Sequence, residues 1–308
     1  MNFSLTLRQL QIFVAIVEAG STSAAADTLA LSQSATSAAL HELERALGTR
    51  VFQRRGKRLL LNEQGRQLLS QARVLLDHAS EIDRWAKYGI GRIGDLRIGA
   101  STTIGNYLLP QLLAGFKRQL AQEGQAEWSA QVSIANTRAI ANQVANFELD
   151  LALVEGWCEQ NELHVEPWME DELLLVASPD DPEVQAADAQ FSLDQLKAAT
   201  WLLRESGSGT RETILHAISP WLHQVNVGIE FGDSEAIKRA VSEQLGISCL
   251  SPWVVEEMLS AGKLVQLRSP LPPIRRHFYL ITHLEKHNTP SLQRMIGFLR
   301  QYADPTRE

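Results

Sequence analysis

Gln33, Ser34, Ser37 and His41 recur at helical spacing and make one small, polar, nearly uncharged face. A Gln amide can pair bidentately with an adenine edge, and a Ser hydroxyl reaches purine or pyrimidine edges. A merely solvated helix face would more usually carry Glu and Lys pairs. A little further on, Arg54, Arg55, Lys57 and Arg58 crowd around Gly56 between two apolar runs. Such a basic turn suits phosphates or a minor groove. Together the two groups imply nucleic-acid recognition, the polar face setting sequence preference and the cations setting affinity and salt dependence.

These residues need elements that hold them. A Ser-started helix, Ser21 to Ala30, meets a turn at Leu31-Ser32, and a second helix opens at Gln33. Ser32 is placed to cap its first turn and is counted with the DNA-contacting residues. Thr36, Leu40, Leu43 and Leu47 form the inward face of that helix. With the basic hairpin, Phe52 to Asn62, these are the parts of a winged helix-turn-helix, which sets a helix into the DNA major groove. The charge is divided accordingly. Residues 1–66 hold eight Lys/Arg against five acids, a net of +3, whereas the whole chain is −7, which leaves −10 for the rest. The larger part of the chain is therefore expected to avoid DNA.

Asn62 is a good cap for the next helix, along which Leu68, Ala72, Leu75, Ala79, Ile82 and Ala86 alternate spacings of four and three. That is a heptad seam and points to self-association, because a reader with one recognition helix needs two copies to cover two half-sites. An amphipathic helix lying on its own domain is the other reading. A Gly-rich hinge, Tyr88 to Gly94, follows.

From Asp95 strands alternate with helices, which implies a parallel sheet. Ligands in such sheets bind beyond the carboxyl ends of strands. Two loops sit there: Ser101-Thr102-Thr103-Ile104-Gly105-Asn106, and Arg204-Glu205-Ser206-Gly207-Ser208-Gly209-Thr210-Arg211. The second has glycines that let backbone N–H groups converge on an anion at a helix start, but it lacks the Walker A spacing.

Composition bounds the rest. The 308 residues suffice for two or three domains, and 44% hydrophobic content is ordinary for a globular chain. No apolar run is long enough to span a membrane and no signal peptide is evident, so a cytoplasmic protein without membrane contact is expected. Cys249 lies in an apolar run and reads as a small buried hydrophobe; a redox disulfide with Cys158 is the alternative. His283 and His287 are spaced like metal ligands but lack acidic or thiol partners, so no metal or cofactor is expected.

Over essentially its full length the chain resembles the LysR-type transcriptional regulators. The residues carrying the likeness are Leu7 to Phe13, Gly20-Ser21, Ala25-Ala26, Leu31 to Ser37, Leu43-Glu44, Leu47-Gly48 and Val51-Phe52. In the second part they are Gly94 to Gly99, Gly207 to Arg211 and Glu235 to Lys238. The resemblance implies an α/β multidomain protein: an N-terminal winged helix-turn-helix (1–62), a long linker helix and hinge (63–92), and a C-terminal two-lobed, periplasmic-binding-protein-like effector domain (93–308). Lobe I is expected at about 93–166 and 268–308, lobe II at about 167–267. It further implies a homodimer or homotetramer, promoter DNA as partner, and contact with RNA polymerase. Ala38 stands where many members have Arg, and Ser34 where Pro is common, so the target sequence cannot be borrowed from relatives. The two loops are similar to those of members sensing small oxyanions or phosphorylated metabolites. They suggest an anionic effector held by Ser101, Thr102, Thr103, Asn136, Thr137, Ser206, Gly207 and Thr210, with sulfur oxyanions ahead of sugar phosphates and organic acids. Two other functions remain open: a nucleoid-type DNA binder without effector, and an enzyme with a DNA-binding head. The enzyme is disfavoured because no nucleophile–base pair, Gly-x-Ser-x-Gly elbow or His-Glu-x-x-His is present.

Overall fold

The computed structural model describes residues 4–55, 58–88, 96–124, 128–156, 158 and 160–303. The chain divides into two compact units, Met1–Ile90 with Glu285–His287, and Gly91–Leu284 with Asn288–Glu308.

In the first unit each helix starts where a side chain satisfies the open N–H groups of its first turn, a contact worth about 0.5–2 kcal/mol. Thr6 and Gln9 form a capping box for α1 (Leu7–Ala19). Ser21 accepts from Ala24 N at 3.2 Å to open α2 (Thr22–Thr28), and Ser32 accepts from Ala35 N at 3.1 Å to open α3 (Gln33–Leu47). Gly48, at φ +67°, ends α3 in the left-handed conformation that glycine adopts without a Cβ penalty. Strands β1 (Phe52–Arg55) and β2 (Arg58–Leu61) pair antiparallel with Arg55 opposite Arg58. Asn62 Oδ1 then accepts from Gly65 N at 2.8 Å as α4 (Glu63–Tyr88) begins. Phe13, Ile16, Leu40, Leu43, Val51 and Phe52 form the core, and Thr36 is buried beside them.

The second unit is α/β. Its elements are β3 (Leu96–Ser101), a single π-helical turn (Ile104–Leu108), α5 (Leu109–Gln122), β4 (Ala130–Ala135), α6 (Thr137–Ala145), β5 (Leu151–Glu155) and β6 (Leu163–Ala177). Then come α7 (Pro182–Ala186), α8 (Leu193–Ala198), β7 (Thr200–Arg204), α9 (Gly209–Ile218), β8 (Asn226–Phe231), α10 (Ser234–Ser242), β9 (Ser248–Leu250), α11 (Pro252–Ser260), β10 (Val265–Gln266), β11 (Ile274–His283) and α12 (Pro290–Ala303).

The expected parallel sheet is only partly present. β3 pairs parallel with β4 and β5, and β7 with β8, but β11 runs antiparallel to β5 and β6, and β9 and β10 run antiparallel to β6. The main sheet order is β10-β6-β11-β5-β3-β4. β6 and β11 are the cause of the mixed topology: they pair over residues 163–173 and 274–283, returning the chain through both halves. Residues 166 and 167, where the lobe boundary is expected, fall inside the continuous strand β6. Pro167 has no N–H for a ladder bond, and the register slips beside it: Phe278 faces Met169 while Tyr279 faces Pro167, leaving Trp168 as the extra, bulged residue.

Each lobe has its own core. Ile98, Leu112, Phe116, Phe278, Leu292 and Met295 fill the first, and Trp201, Leu203, Ile214, Ile247 and Cys249 the second. Among the described residues no helix is long and apolar enough to cross a membrane.

Candidate functional site: the recognition helix and the inter-lobe cleft

In the first unit, α3 places Gln33, Ser34 and His41 at the surface and Ser37 half-buried, opposite the buried Thr36, Leu40 and Leu43. Ser32 and Ser34 share a hydrogen bond of 3.0 Å, and Gln33 Nε2 donates to Thr22 Oγ1 at 3.5 Å. The latter is long for a hydrogen bond, so the amide is easily released to another partner. Between α3 and the hairpin lies an open depression of about 710 Å³, lined by Thr22, Gln33, Ser37, His41, Arg50 and Gln53 among others. Nothing in the sequence pattern marks Thr22, Arg50 and Gln53, because they reach this groove from other elements. Glu44 Oε1 accepts from Val51 N at 2.9 Å and ties the helix end to the hairpin. The backbones of Arg54, Arg55 and Arg58 belong to β1 and β2, but their side chains, and all of Gly56 and Lys57, lie outside the described part, as does the Gly89–Gly94 stretch of the hinge.

Along α4 the heptad positions divide. Ala72 is fully buried in the head's core and Leu68 packs against it, whereas Leu75 (51% exposed), Ile82 (61%) and Ala86 face outward and Ala79 is half-buried.

In the second unit the predicted hydroxyls converge on a residue that the sequence motifs do not include, Glu155, at the carboxyl end of β5 and 1% exposed. Ser101 Oγ accepts from Glu155 N (3.1 Å), and Thr137 Oγ1 donates to its carbonyl (2.7 Å). Thr103 N donates to its Oε1 (3.3 Å) and Thr210 Oγ1 to its Oε2 (3.2 Å). Four of the eight predicted effector contacts therefore bind Glu155: Ser101 and Thr137 through its main chain, Thr103 and Thr210 through its carboxylate. Its counter-ion is Arg276 of β11, 2.8 Å away, which also holds Asp171 of β6 at 2.7 Å and donates to Thr210 Oγ1 at 2.9 Å. All three charged side chains are at least 98% buried.

Beside this network stands Arg204, at the end of β7 and 1% exposed. Its Nη1 donates to Thr102 Oγ1 (2.5 Å) across the cleft and to Ser234 Oγ (3.1 Å). Its Nε and Nη2 grip the Glu205 carboxylate at 2.8 and 2.9 Å, and Asn136 Nδ2 donates to the same carboxylate at 3.0 Å. Burial opposes ionisation of Glu205, but these bonds and the Arg204 charge outweigh it and hold the carboxyl below its usual range. Ser206 is exposed, Gly207 takes φ +91° and accepts from Arg138 N at 3.1 Å, and the buried Ser208 Oγ has no hydrogen-bond partner among the described residues.

A third contact closes the cleft from the π-helical turn. Tyr107 donates to Glu235 of α10, whose carboxylate also takes Lys238 at 2.6 Å and Arg239 at 2.9 Å. Burial raises the Glu235 pKa, yet the bonds from Lys238, Tyr107 and Arg239 bring it down to about 2. The cysteines have no part in this chemistry. Both are buried and free, and desolvation pushes Cys158 up to about 11 and Cys249 to about 12, so neither is a ready thiolate. His283 is buried and packs on Phe147, with ring centroids 3.9 Å apart.

Two family descriptions cover these two halves. "Bacterial regulatory helix-turn-helix protein, lysR family" matches residues 7–66, and "LysR substrate binding domain" matches residues 90–304. The chain belongs to the LysR family of transcriptional regulators. This LysR-type regulator is 42% identical over 301 residues to the HTH-type transcriptional regulator YeiE of Escherichia coli, with 98% of each chain covered. In structure it is similar to a full-length OxyR variant from Pseudomonas aeruginosa (TM-score 0.69, 22% identity, 97% of this chain and 95% of that one). It is also similar to the regulatory domain of Synechocystis CcmR in complex with 2-PG (TM-score 0.59, 27% identity, 68% of this chain and 98% of that one). The protein is thus a DNA-binding regulator with an effector-binding domain.

Proposed function

We propose that this LysR-type regulator controls promoter binding through a small anion held between the two lobes, with sulfur oxyanions as leading candidates and phosphorylated metabolites and organic acids behind them. The observation that carries this reading is Arg204: a buried guanidinium at a strand end, reaching Thr102 across the cleft and Ser234 within its own lobe. The CcmR regulatory domain, which is similar over its whole length, is described in complex with 2-PG. An anion bound better by one lobe arrangement than by another shifts the population between them, and that shift is what re-spaces two DNA-reading heads. Contact with RNA polymerase belongs to the same reading. Thermal-shift measurements with sulfite, sulfate, thiosulfate, phosphate and 2-PG, followed by footprinting with the best binder, test it. A raised Tm together with a changed footprint is expected; no shift with any anion, and uniform footprints on random DNA, would favour a nucleoid-type binder.

For the head, we assign base reading to Gln33, Ser34, Ser37 and His41, with Ser32 beside them, and phosphate contact to Arg54, Arg55, Lys57 and Arg58. Gln33→Ala or Ser37→Ala should cost about 1–3 kcal/mol at the cognate site and little on random DNA. Neutralising Arg54 and Arg58 should weaken both and reduce the salt slope by about 0.9 for each phosphate that no longer has its cation. Equal losses on both DNAs for Gln33→Ala, or an unchanged slope for the arginine pair, would remove the respective role.

Self-association is assigned to the outward Leu75, Ile82 and Ala86 of α4 with the half-buried Ala79 between them, continuing the heptad that starts at Leu68 and Ala72. Ile82→Asp should leave the head folded but shift the protein toward monomer in sedimentation velocity, because a carboxylate in an apolar seam loses its hydration. Ala72→Asp, at a position already inside the head's core, should unfold the head instead.

A further inference from the structure

The cations of the inter-lobe cleft each face a carboxylate, although the buried Nη2 of Arg276 has no hydrogen-bond partner among the described residues. Arg276 faces Glu155 and Asp171, Lys238 faces Glu235, and Arg211 faces Glu230 at 2.8 Å. Arg204 faces Glu205. An incoming anion therefore meets acids on the cations it needs, and the question is which acid yields. Glu155 is 1% exposed and locked by Arg276, Thr210, Thr103 N and its own backbone bonds, so its release would dismantle the join between the lobes. Glu205 differs. Its side chain is 24% exposed, and its own backbone bonds to Phe231 O and from Ser208 N persist whichever way the carboxylate points.

The partners of Glu205 also have the form of an oxyanion site. Nε and Nη2 of a guanidinium present two parallel N–H donors, the geometry that carboxylates, phosphates and sulfates bind. Asn136 Nδ2 supplies a third donor from the opposite lobe. The carboxylate oxygens thus take the same set of donors that a bound oxyanion would use.

We propose that the Glu205 carboxylate is a resident competitor for the effector: it occupies the oxyanion position on Arg204 and Asn136, and the effector binds by displacing it. This rests on the anion reading given above and adds a selection rule. A tethered carboxylate is at high effective concentration, so a free monocarboxylate, with the same chemistry and no tether, gains nothing by replacing it. An oxyanion with two charges is drawn to Arg204 and Asn136 more strongly than a single carboxylate, while Thr102 and Ser234, on Arg204 Nη1, hold the guanidinium in place for it. Glu205 in this way excludes the abundant monocarboxylates and sets the concentration at which a dianion is sensed.

The test is calorimetric titration of the full-length protein, wild type, Glu205→Ala and Glu205→Gln, with phosphate, sulfate, sulfite and acetate, alongside melting curves without added anion. Expected are a Kd for the best dianion at least tenfold lower in Glu205→Ala than in wild type, and acetate binding that is absent in wild type and present in Glu205→Ala. Without anion that variant should melt lower, since buried Arg204 has no carboxylate left, and the dianion should restore it. Glu205→Gln, which keeps the side-chain shape, gives the same ordering if the alanine variant does not fold. Equal dianion affinity in wild type and both variants would overturn the competitor role while leaving an anionic effector in place. Failure of every anion to bind any of the three proteins would overturn both.

Discussion

Replacing Arg276 by Met lowers the stability of the effector domain by about 3–5 kcal/mol, the effect expected when one member of a buried ion network is removed and its partners stay charged. Arg276 is 2% exposed on its side chain, between Glu155 at 2.8 Å and Asp171 at 2.7 Å. Without it two carboxylates remain in a site closed to water, and Thr210 loses a donor. The penalty comes from stranded charge rather than from missing attraction, which gives a second expectation. The triple change Glu155→Gln, Asp171→Asn, Arg276→Met should recover most of the loss, because a neutral, volume-matched cluster no longer needs a counter-ion. Urea unfolding followed by tryptophan fluorescence reads this domain, since Trp168 and Trp201 are buried within it. If Arg276→Met unfolds at the wild-type midpoint, the network has no such role. If the triple variant is as unstable as the single one, the loss is one of packing and not of charge.

The head is legible in the sequence because its information is local. Caps at Ser21, Ser32 and Asn62 and the 3.6-residue rhythm of Thr36, Leu40 and Leu43 each depend on neighbours a few residues away, and each appears where the pattern places it. The division of the α4 seam is not legible, because a heptad does not say which of its turns lies against the domain that precedes it. In the effector domain the loops at the ends of β3 and β7 are visible from Ser, Thr and Gly. Their true partners are not: Glu155, Asp171, Ser234 and Arg276 come from four other segments, assembled by the antiparallel return of β6 and β11. One signal is available. Glu155 and Arg204 are the first charged residues after the apolar runs Leu151–Val154 and Trp201–Leu203, and a charge directly at the carboxyl end of a buried strand stands where sheets of this kind bind ligands. Only from Glu172 onward does β6 have the pattern of a strand, because Pro167 interrupts the run that precedes it.

Gly209→Ala should impair the proposed anion response more than any surface change in the cleft. Gly209 opens α9 in the second lobe directly against the end of β5 in the first, and a Cβ on it would sit 1.7 Å from Glu155 O and 3.0 Å from Thr137 Oγ1. From the other side, a Cβ on Gly156 would lie 2.9 Å from the Gly209 Cα. The obstacle at Gly209 is backbone, which cannot rotate aside like the tip of a side chain. The φ of Gly209 is not in the left-handed region, so alanine meets no conformational penalty there and the effect is purely one of approach. Gly48 is the opposite case, with open space around a would-be Cβ but φ +67°, where the same change acts through backbone strain and leaves packing alone. Overpacking of this kind costs about 1–3 kcal/mol. The functional loss should be larger, because α9 and β5 must separate, and with them the bonds that Thr210 makes to Glu155 and Arg276 across the join. The expected phenotype is a folded protein that still binds DNA through an untouched head but no longer changes its Tm or footprint when anion is added. A Gly209→Ala protein with wild-type melting and wild-type anion response would show that the close approach of β5 and α9 is incidental to that response.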